Sequence, residues 1–441
     1  MKNTPLYKIL LDYKARKASS FHMPGHKNCD VNALWNLDYT DTLPQLAESL
    51  AAAENYATSY FGTNATFFSA GGNTLCIQAM IKLAVPSKGK IICGRNIHCS
   101  AVNTIALLDL TPVWVYPRNN ITEPEFSGKV APDDIEAALC ENNDAKAVYI
   151  TSPDYYGIIS DVGSIAKLCK KYAVPLLVDN AHGAHFFCEN PSMHPINLGA
   201  SICADSAHKT LPVLSGGAWL HINDKIYTKN AKKAMAIFGS TSPSLPILAS
   251  LDICRDWMQN KGVEAFGLLK EKVAAVKLRA KNKGFILPEG PCDTVRITLG
   301  GSSLGWLGAE LLEFFRKFNI EPEFACNSHV VLIPSPMNND LDFERLETAI
   351  SSVPKKNRKC EKISVWERVK RKQYTSIREA MFSSSELVQL SDLEGKVAAE
   401  MVCPYPPGLP ILMPGEKIER DCLELLENYG VVALKVVLNI T

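Results

Sequence analysis

Strand-length apolar runs alternate with helix-period segments through the first half of this chain. The runs cover residues 90–94, 112–116, 147–151, 175–179 and 217–222. Runs without a polar face, separated by amphipathic helices, build a mostly parallel sheet covered by helices on both sides. Asp161 opens the amphipathic stretch 162–172 and Asp133 opens 134–139, each as an N-cap ahead of apolar residues at helical spacing. This pattern predicts an α/β domain over about residues 20–240. Beyond Ser240 the signal changes: a long helical stretch over 245–281, with Pro246 near its start, reads as a bridge. A smaller α+β domain then takes 294–299 and 329–334 as strands and 305–318 and 341–353 as helices. Residues 354–359 are basic and polar and read as an exposed linker, ahead of a third segment containing a proline-rich turn at 404–410. The expected division is an arm at 1–20, a large domain at 21–240, a bridging helix at 241–285, the small domain at 286–358 and a C-terminal segment at 359–441.

A chain of 441 residues exceeds one ordinary core, which fits several packed units. Its 47 basic and 46 acidic side chains nearly cancel, so no global field recruits nucleic acid or a membrane surface. Residues 1–13 lack the basic, apolar, small-residue succession of a secretory signal, and no apolar run reaches the roughly eighteen residues that span a bilayer. The 14 cysteines form no CxxC pair, which fits reduced thiols in the cytoplasm better than disulfides or a zinc site.

Four elements carry chemistry. Ser206-Ala207-His208-Lys209-Thr210 follows a strand-like run, and a lysine set beside a hydroxyl and a histidine is suited to forming an imine and holding a phosphate. Taken alone, the same lysine reads as a surface residue after a strand. Pro175-Leu176-Leu177-Val178-Asp179 ends on a carboxylate at the crevice where α/β sheets bind ligands. Against a pyridine ring, Asp179 would keep the ring nitrogen protonated; the alternative is a helix N-cap. Gly71-Gly72-Asn73-Thr74 leads into an apolar-periodic helix from Leu75, presenting backbone N–H groups and a hydroxyl to a phosphate, although it matches neither a Walker loop nor GxGxxG. His98, just past another strand-like run, would stack on an aromatic ring at the same edge. Any one of these is unremarkable, whereas four on one sheet edge are not.

Together the segments resemble the Orn/Lys/Arg decarboxylase family of pyridoxal 5'-phosphate enzymes, within the aspartate-aminotransferase-like fold type I. The resemblance rests on Phe21-His22-Met23-Pro24-Gly25-His26-Lys27, Asp205-Ser206-Ala207-His208-Lys209-Thr210-Leu211, and Val178-Asp179 with Ala181-His182-Gly183-Ala184-His185. Ser240-Thr241-Ser242-Pro243-Ser244, Pro404-Tyr405-Pro406-Pro407-Gly408 and Pro414-Gly415-Glu416 extend it. It implies that Lys209 carries the cofactor as an imine, Asp179 meets the pyridine nitrogen, and His98 and Ala181 pack on the two ring faces. Gly72, Asn73, Thr74, Ser206 and His208 would surround the phosphate. The fold places its active site between two subunits, so Ser240, Thr241, Ser242 and the 22–27 segment are expected to serve the partner's site in a homodimer or larger homo-oligomer. Asn180, Cys99 and Gly216-Gly217 depart from the family pattern where Glu, Lys and a Gln-containing pair are usual, which bears on the substrate. The implied reaction is loss of carbon dioxide from a basic amino acid, a small-molecule substrate, with either His182 or Lys209 returning the proton to Cα.

The nearest rivals are transamination or Cβ–S cleavage on the same fold. Transaminases clamp the substrate carboxylate with an arginine, and none is evident by motif within 290–335. A non-catalytic relative of the fold would have no need of Lys209, Asp179 and His98 together. A metal site at His182 and His185 lacks a third ligand in the sequence nearby.

Overall fold

The computed structural model describes residues 15–22, 24, 25, 27, 46–118, 128–189, 191–360, 371–403 and 410–438. Strand β1 (Ser19–Phe21) stands apart from the main sheet. That sheet contains β2 (Ala65–Ser69), β3 (Gly89–Gly94), β4 (Leu110–Val115), β5 (Ala147–Thr151), β6 (Leu176–Asp179), β7 (Ile202–Asp205) and β8 (Ala218–Ile222), in the order β2-β8-β7-β6-β5-β3-β4. Pairing is parallel from β4 through β7, and β8 is antiparallel to both β7 and β2. The carboxyl ends of β2 to β7 and the amino end of β8 therefore share one edge.

The alternation of side chains along each strand builds both apolar layers. Ile91, Cys93 and Tyr149 face one layer with Ile77, Met80 and Ile105, while Ile92, Val148 and Ile150 face the other with Ile135, Val162 and Ile165. Each such fully buried aliphatic side chain contributes about 1.5–3 kcal/mol. Strand β2 was not among the expected strands. It lies at the sheet edge and only partly buries its residues, so it lacks a continuous apolar run. Asp161 is an N-cap as expected, accepting from the Ser164 amide at 3.0 Å. Asp133 is not: Ala131 caps the helix Pro132–Glu141, and Asp133 sits inside its first turn, where its charge favours the dipole.

The expected bridge is two helices, Leu245–Trp257 and Val263–Lys283, joined by a π-turn at Met258–Gly262. Beyond it lie β9 (Ile297–Gly300), β10 (Ile320–Pro322), β11 (Phe324–Ala325) and β12 (His329–Leu332) with the helices Gly308–Lys317 and Asp340–Ser352. Strands β11-β12-β9 form an antiparallel sheet, and β10 pairs in parallel with β1. One apolar cluster runs from Phe21 and Trp219 to Leu299, Phe315 and Ile350, so this unit shares a core with the elements around the large sheet. Residues 354–359 are mostly exposed yet anchored, since Lys356 and Arg358 both pair with Glu310. The C-terminal layer has its own core of Leu393, Ile411, Leu425 and Val436 around β13 (Ser385–Gln389) and β14 (Ala433–Val437). Glu416 of this layer pairs in bidentate fashion with Arg95 at 2.7 and 2.8 Å, both side chains fully buried. Among the described residues no helix is long and apolar enough to cross a membrane. The proline-rich motif at 404–408 and the arm at 1–14 lie outside the described residues.

Candidate active site

The shared edge collects the chemistry. Strand β6 ends on Asp179, β7 runs into Ser206, β3 leads to His98, β2 leads to the 69–72 turn, and β8 starts beside Gly216-Gly217. A site forms here because adjacent strands of a parallel sheet deliver their ends together.

Asp179 is 1% exposed. Its Oδ1 accepts from Asn73 Nδ2 at 2.9 Å and the Ala181 amide at 3.2 Å, and its Oδ2 from the Tyr149 hydroxyl at 3.1 Å. Burial pushes its carboxyl up, while the nearby basic groups His98 and Lys209 oppose that shift. A carboxylate has about four acceptor positions, so room remains for a cationic N–H. The N-cap reading of Asp179 does not hold, because the next helical turn, Ala184–Cys188, starts after Gly183 and has no side-chain cap. His98 instead caps the helix Cys99–Leu108: its Nδ1 accepts from the Ser100 amide at 3.2 Å. Burial lowers its pKa, with Asp179 opposing, so it is a neutral ring with its proton on Nε2. Cys99 is exposed, its Sγ 3.8 Å from either ring nitrogen of His98.

The helix Gly72–Ala84 starts earlier than its apolar periodicity suggests. Gly72, at φ +69°, adopts a backbone that favours glycine and donates its N–H to the Gly216 carbonyl at 2.8 Å. The Gly217 carbonyl receives the His208 amide at 3.3 Å and His208 Nδ1 at 3.0 Å. The departure at Gly216-Gly217 thus ties the helix start to the turn that carries Lys209. Ser206 and Thr210 are buried on that turn, Thr74 is exposed, and Asn73 directs its amide to Asp179. Ser240, Thr241 and Ser242 are exposed, just after Gly239, whose backbone approaches Leu75 of the same helix.

The described part of the 22–27 segment is anchored on its own chain: the Gly25 amide donates to the His208 carbonyl at 2.7 Å, and Lys27 Nζ donates to the Ile333 carbonyl at 2.8 Å. A Cβ on Gly25 would come within 2.6 Å of the Thr210 backbone, so only glycine permits this approach. Met23 and His26 lie outside the described residues. One expectation requires correction, since an arginine does enter the site. Arg296, 3% exposed and immediately before β9, stands with Nη2 3.2 Å from His182 Nδ1. Its Nε lies 3.8 Å from Asp293 Oδ2, and Nε and Nη1 have no hydrogen-bond partner among the described residues. The available signal was a lone arginine opening an apolar strand, which no motif search detects.

His182 Nε2 lies 2.9 Å from Lys209 Nζ, and the Tyr155 ring packs edge-on against His182 at 4.7 Å. Tyr155 donates its hydroxyl to Glu323 at 2.6 Å. Burial lowers Lys209 to about 8, with Asp179 and Glu323 opposing. His185 turns its Nε2 to Asp293 at 3.1 Å, while His182 turns its ring nitrogens to Lys209 and Arg296. Another buried group, His194, Asp205 and His221, does bring ligand-type atoms within 4.8 Å of one another. It is closed by its own hydrogen bonds: both Nε2 atoms meet Asp205 Oδ2, at 2.8 and 3.2 Å, and Asn180 donates to Oδ1 at 2.8 Å. This network fixes Asp205 at the root of the Lys209 turn and gives Asn180 a structural task.

The donor set suits a phosphorylated pyridine aldehyde: an amine for the aldehyde, a carboxylate for the ring nitrogen, an imidazole for a ring face, and a helix start for the phosphate. Asn73 Oδ1 and Thr210 Oγ1 are buried polar atoms without partners among the described residues, beside Asp179 and Lys209, as a ligand between them would explain.

Comparison with known proteins agrees. The model of the Orn/Lys/Arg decarboxylase major domain matches residues 40–284, and that of the C-terminal domain of the same family matches 359–432. The uncharacterized protein YaaO of Bacillus subtilis is 30% identical, with 97% of this chain and 94% of that protein aligned. The arginine decarboxylase of the same organism is 27% identical over 95% of this chain and 92% of its own length. The solved constitutive lysine decarboxylase of Escherichia coli superposes with a TM-score of 0.74 at 19% identity, covering 98% of this chain and 82% of the other, and so shares the fold. With the major-domain model matching more than half of its residues, this chain belongs to the Orn/Lys/Arg decarboxylase family and is a pyridoxal-phosphate-dependent amino acid decarboxylase.

Proposed function

We propose that this enzyme releases carbon dioxide from a basic amino acid, arginine, lysine or ornithine, to give the corresponding amine for polyamine-type metabolism. When bound, pyridoxal phosphate supplies the electron sink for the pair left on Cα. Lys209 carries the cofactor, Asp179 keeps its ring nitrogen protonated, and His98 and Ala181 cover the two ring faces. Gly72, Thr74, Ser206 and His208 hold the phosphate, with Asn73 bracing Asp179. His182, 4% exposed, keeps water from Lys209. The observation that carries this reading is Lys209 Nζ, 2.9 Å from His182, on the sheet edge that also holds Asp179 and His98.

Two facts support a cationic substrate. Relatives are named arginine decarboxylase and lysine decarboxylase, and Glu323 sets a carboxylate whose charge acts on both Lys27 and Lys209. We place the enzyme in the cytoplasm as a homodimer, with Ser240, Thr241 and Ser242 reaching the partner's phosphate. Transamination is the second reading, favoured by Arg296. That arginine, however, directs Nη2 to His182, and pairing it with the substrate carboxylate would stabilise the charge that decarboxylation removes. Borohydride reduction of the holoenzyme followed by peptide mapping tests the assignment: a pyridoxyl group on Lys209 is expected, and one on any other lysine overturns it.

A further inference from the structure

His182 stands between two basic side chains of different hydrogen-bonding capacity. Arg296 Nη2 lies 3.2 Å from Nδ1, and Lys209 Nζ lies 2.9 Å from Nε2. A guanidinium stays charged at any ordinary pH and can only donate. His182 Nδ1 must therefore accept. A neutral imidazole with its lone pair on Nδ1 carries its single proton on Nε2, and here that N–H is directed at Lys209. An ammonium has donors and no lone pair, so only the free amine of Lys209 can complete the contact. The hydrogen bonds run in one direction, from Arg296 through His182 to Lys209.

The surroundings hold this polarity in place. Burial first, and then the neighbouring basic groups, of which Arg296 is permanently charged, push His182 well below the ordinary histidine range, so it is imidazole rather than imidazolium. Tyr155 packs edge-on against the ring at 4.7 Å and resists its rotation. Arg296 is steadied by Asp293, whose Oδ1 is fixed by His185 at 3.1 Å and by the Val295 amide at 2.9 Å. Asp179 and Glu323 are the acidic groups acting on Lys209.

We infer that Arg296 is a positioning residue: by donating to His182 Nδ1 it locks the Nε2–H tautomer, which presents Lys209 as a free amine and removes His182 as a proton donor to substrate. The polarity stands on geometry, and its use in catalysis rests on the decarboxylase reading above. His182 has one proton to give, and losing it would leave an anionic imidazolate whose other nitrogen faces a permanent cation. Lys209 is then the member of the pair that returns the proton. Lys209 takes up the proton that the substrate's ammonium group gives up on entering the site; an N–H bond of the resulting lysine ammonium then breaks, a C–H bond forms on the carbon that lost carbon dioxide, using the electron pair left there, and Lys209 returns to the free amine that His182 accommodates.

The test uses the full chain freed of cofactor, with 15N-labelled histidine side chains and His182 assigned by the signals lost in His182→Phe. We expect Nδ1 unprotonated and Nε2 protonated in the wild type and in Arg296→Gln, whose amide still donates, but a mixture of tautomers in Arg296→Met. In parallel, the pH dependence of Lys209 acetylation is read by peptide mass mapping. The wild type should titrate near about 8. Both variants lose the charge, so their difference isolates the hydrogen bond. Arg296→Met should titrate about one to two units above Arg296→Gln, because a released His182 can accept from the ammonium. A wild-type His182 protonated on Nδ1, or on both nitrogens, overturns the inference, as does identical Lys209 titration in the two variants. The wild-type spectrum decides even if a variant fails to fold. Neither readout involves substrate, so failure here leaves the decarboxylase reading intact, and failure to release carbon dioxide leaves the tautomer intact.

Discussion

Replacing Glu416 by glutamine should loosen the C-terminal layer and the loop that presents His98. Both partners of the Arg95–Glu416 pair are fully buried, at 2.7 and 2.8 Å, and Glu416 also accepts from the Met413 amide at 2.8 Å. The Arg95 guanidinium lies 5.2 Å from the Trp114 ring centroid and 5.9 Å from that of Tyr116, while its backbone leads directly to His98. Glu416→Gln leaves this cation buried without its counter-charge, a change that costs about 3–5 kcal/mol. Domain stabilities are on the order of 5–15 kcal/mol, so such a loss should appear as local opening before global unfolding. Hydrogen exchange followed by mass spectrometry should show peptides around 95–100 and 412–418 exchanging faster by about two to four powers of ten. The double variant Arg95→Met/Glu416→Met replaces the pair by apolar side chains and should cost less than Glu416→Gln alone. The reasoning is refuted if Glu416→Gln stays within about 1 kcal/mol of the wild type, the value of a surface pair, or if the double variant costs the sum of the single ones.

Asp179→Asn should still bind cofactor while turnover falls by about a hundredfold or more, since a neutral amide cannot hold the ring nitrogen protonated; near-normal rates would reduce Asp179 to a structural role. Burial lowers Lys209 to about 8, and only the deprotonated amine attacks an aldehyde. Chromophore growth after adding cofactor to the stripped chain should therefore rise about tenfold per pH unit up to that value and level off above it, whereas a midpoint near the ordinary lysine value of about 10.4 would contradict the site's electrostatics. Mixing inactive Lys209→Ala with an inactive Ser242→Ala chain should restore activity to as many as half of the sites in each heterodimer, and inactivity in demonstrated heterodimers would mean that each chain completes its own site.

What the sequence discloses follows from how local each signal is. Strands β5 and β6 are legible because a strand covered on both faces tolerates almost no charge, and Asp179 stands out as the first carboxylate after such a run. Lys209 and His98 are legible for the same reason, as chemistry placed at strand ends. Strand β2 escapes because an edge strand need not be apolar throughout. Arg296 escapes because its role exists only where it meets His182, 114 positions away, and the Arg95–Glu416 pair joins residues 321 positions apart. Asp205 is readable as part of a motif, but its closure by His194 and His221 depends on neighbouring elements folding over it. Gly216-Gly217 reads as a departure in one dimension, and in three it braces the helix start against the Lys209 turn.

The central claim is the reaction. Purified holoenzyme incubated separately with arginine, lysine and ornithine, each carrying 13C at the carboxyl carbon, would be followed by mass spectrometry of the released gas and of the products. We predict labelled carbon dioxide and an equal amount of the matching amine from at least one of the three, with neither formed by Lys209→Ala. A keto acid that retains the label, or no carbon dioxide from any of the three by an enzyme whose cofactor is attached at Lys209, would contradict the account.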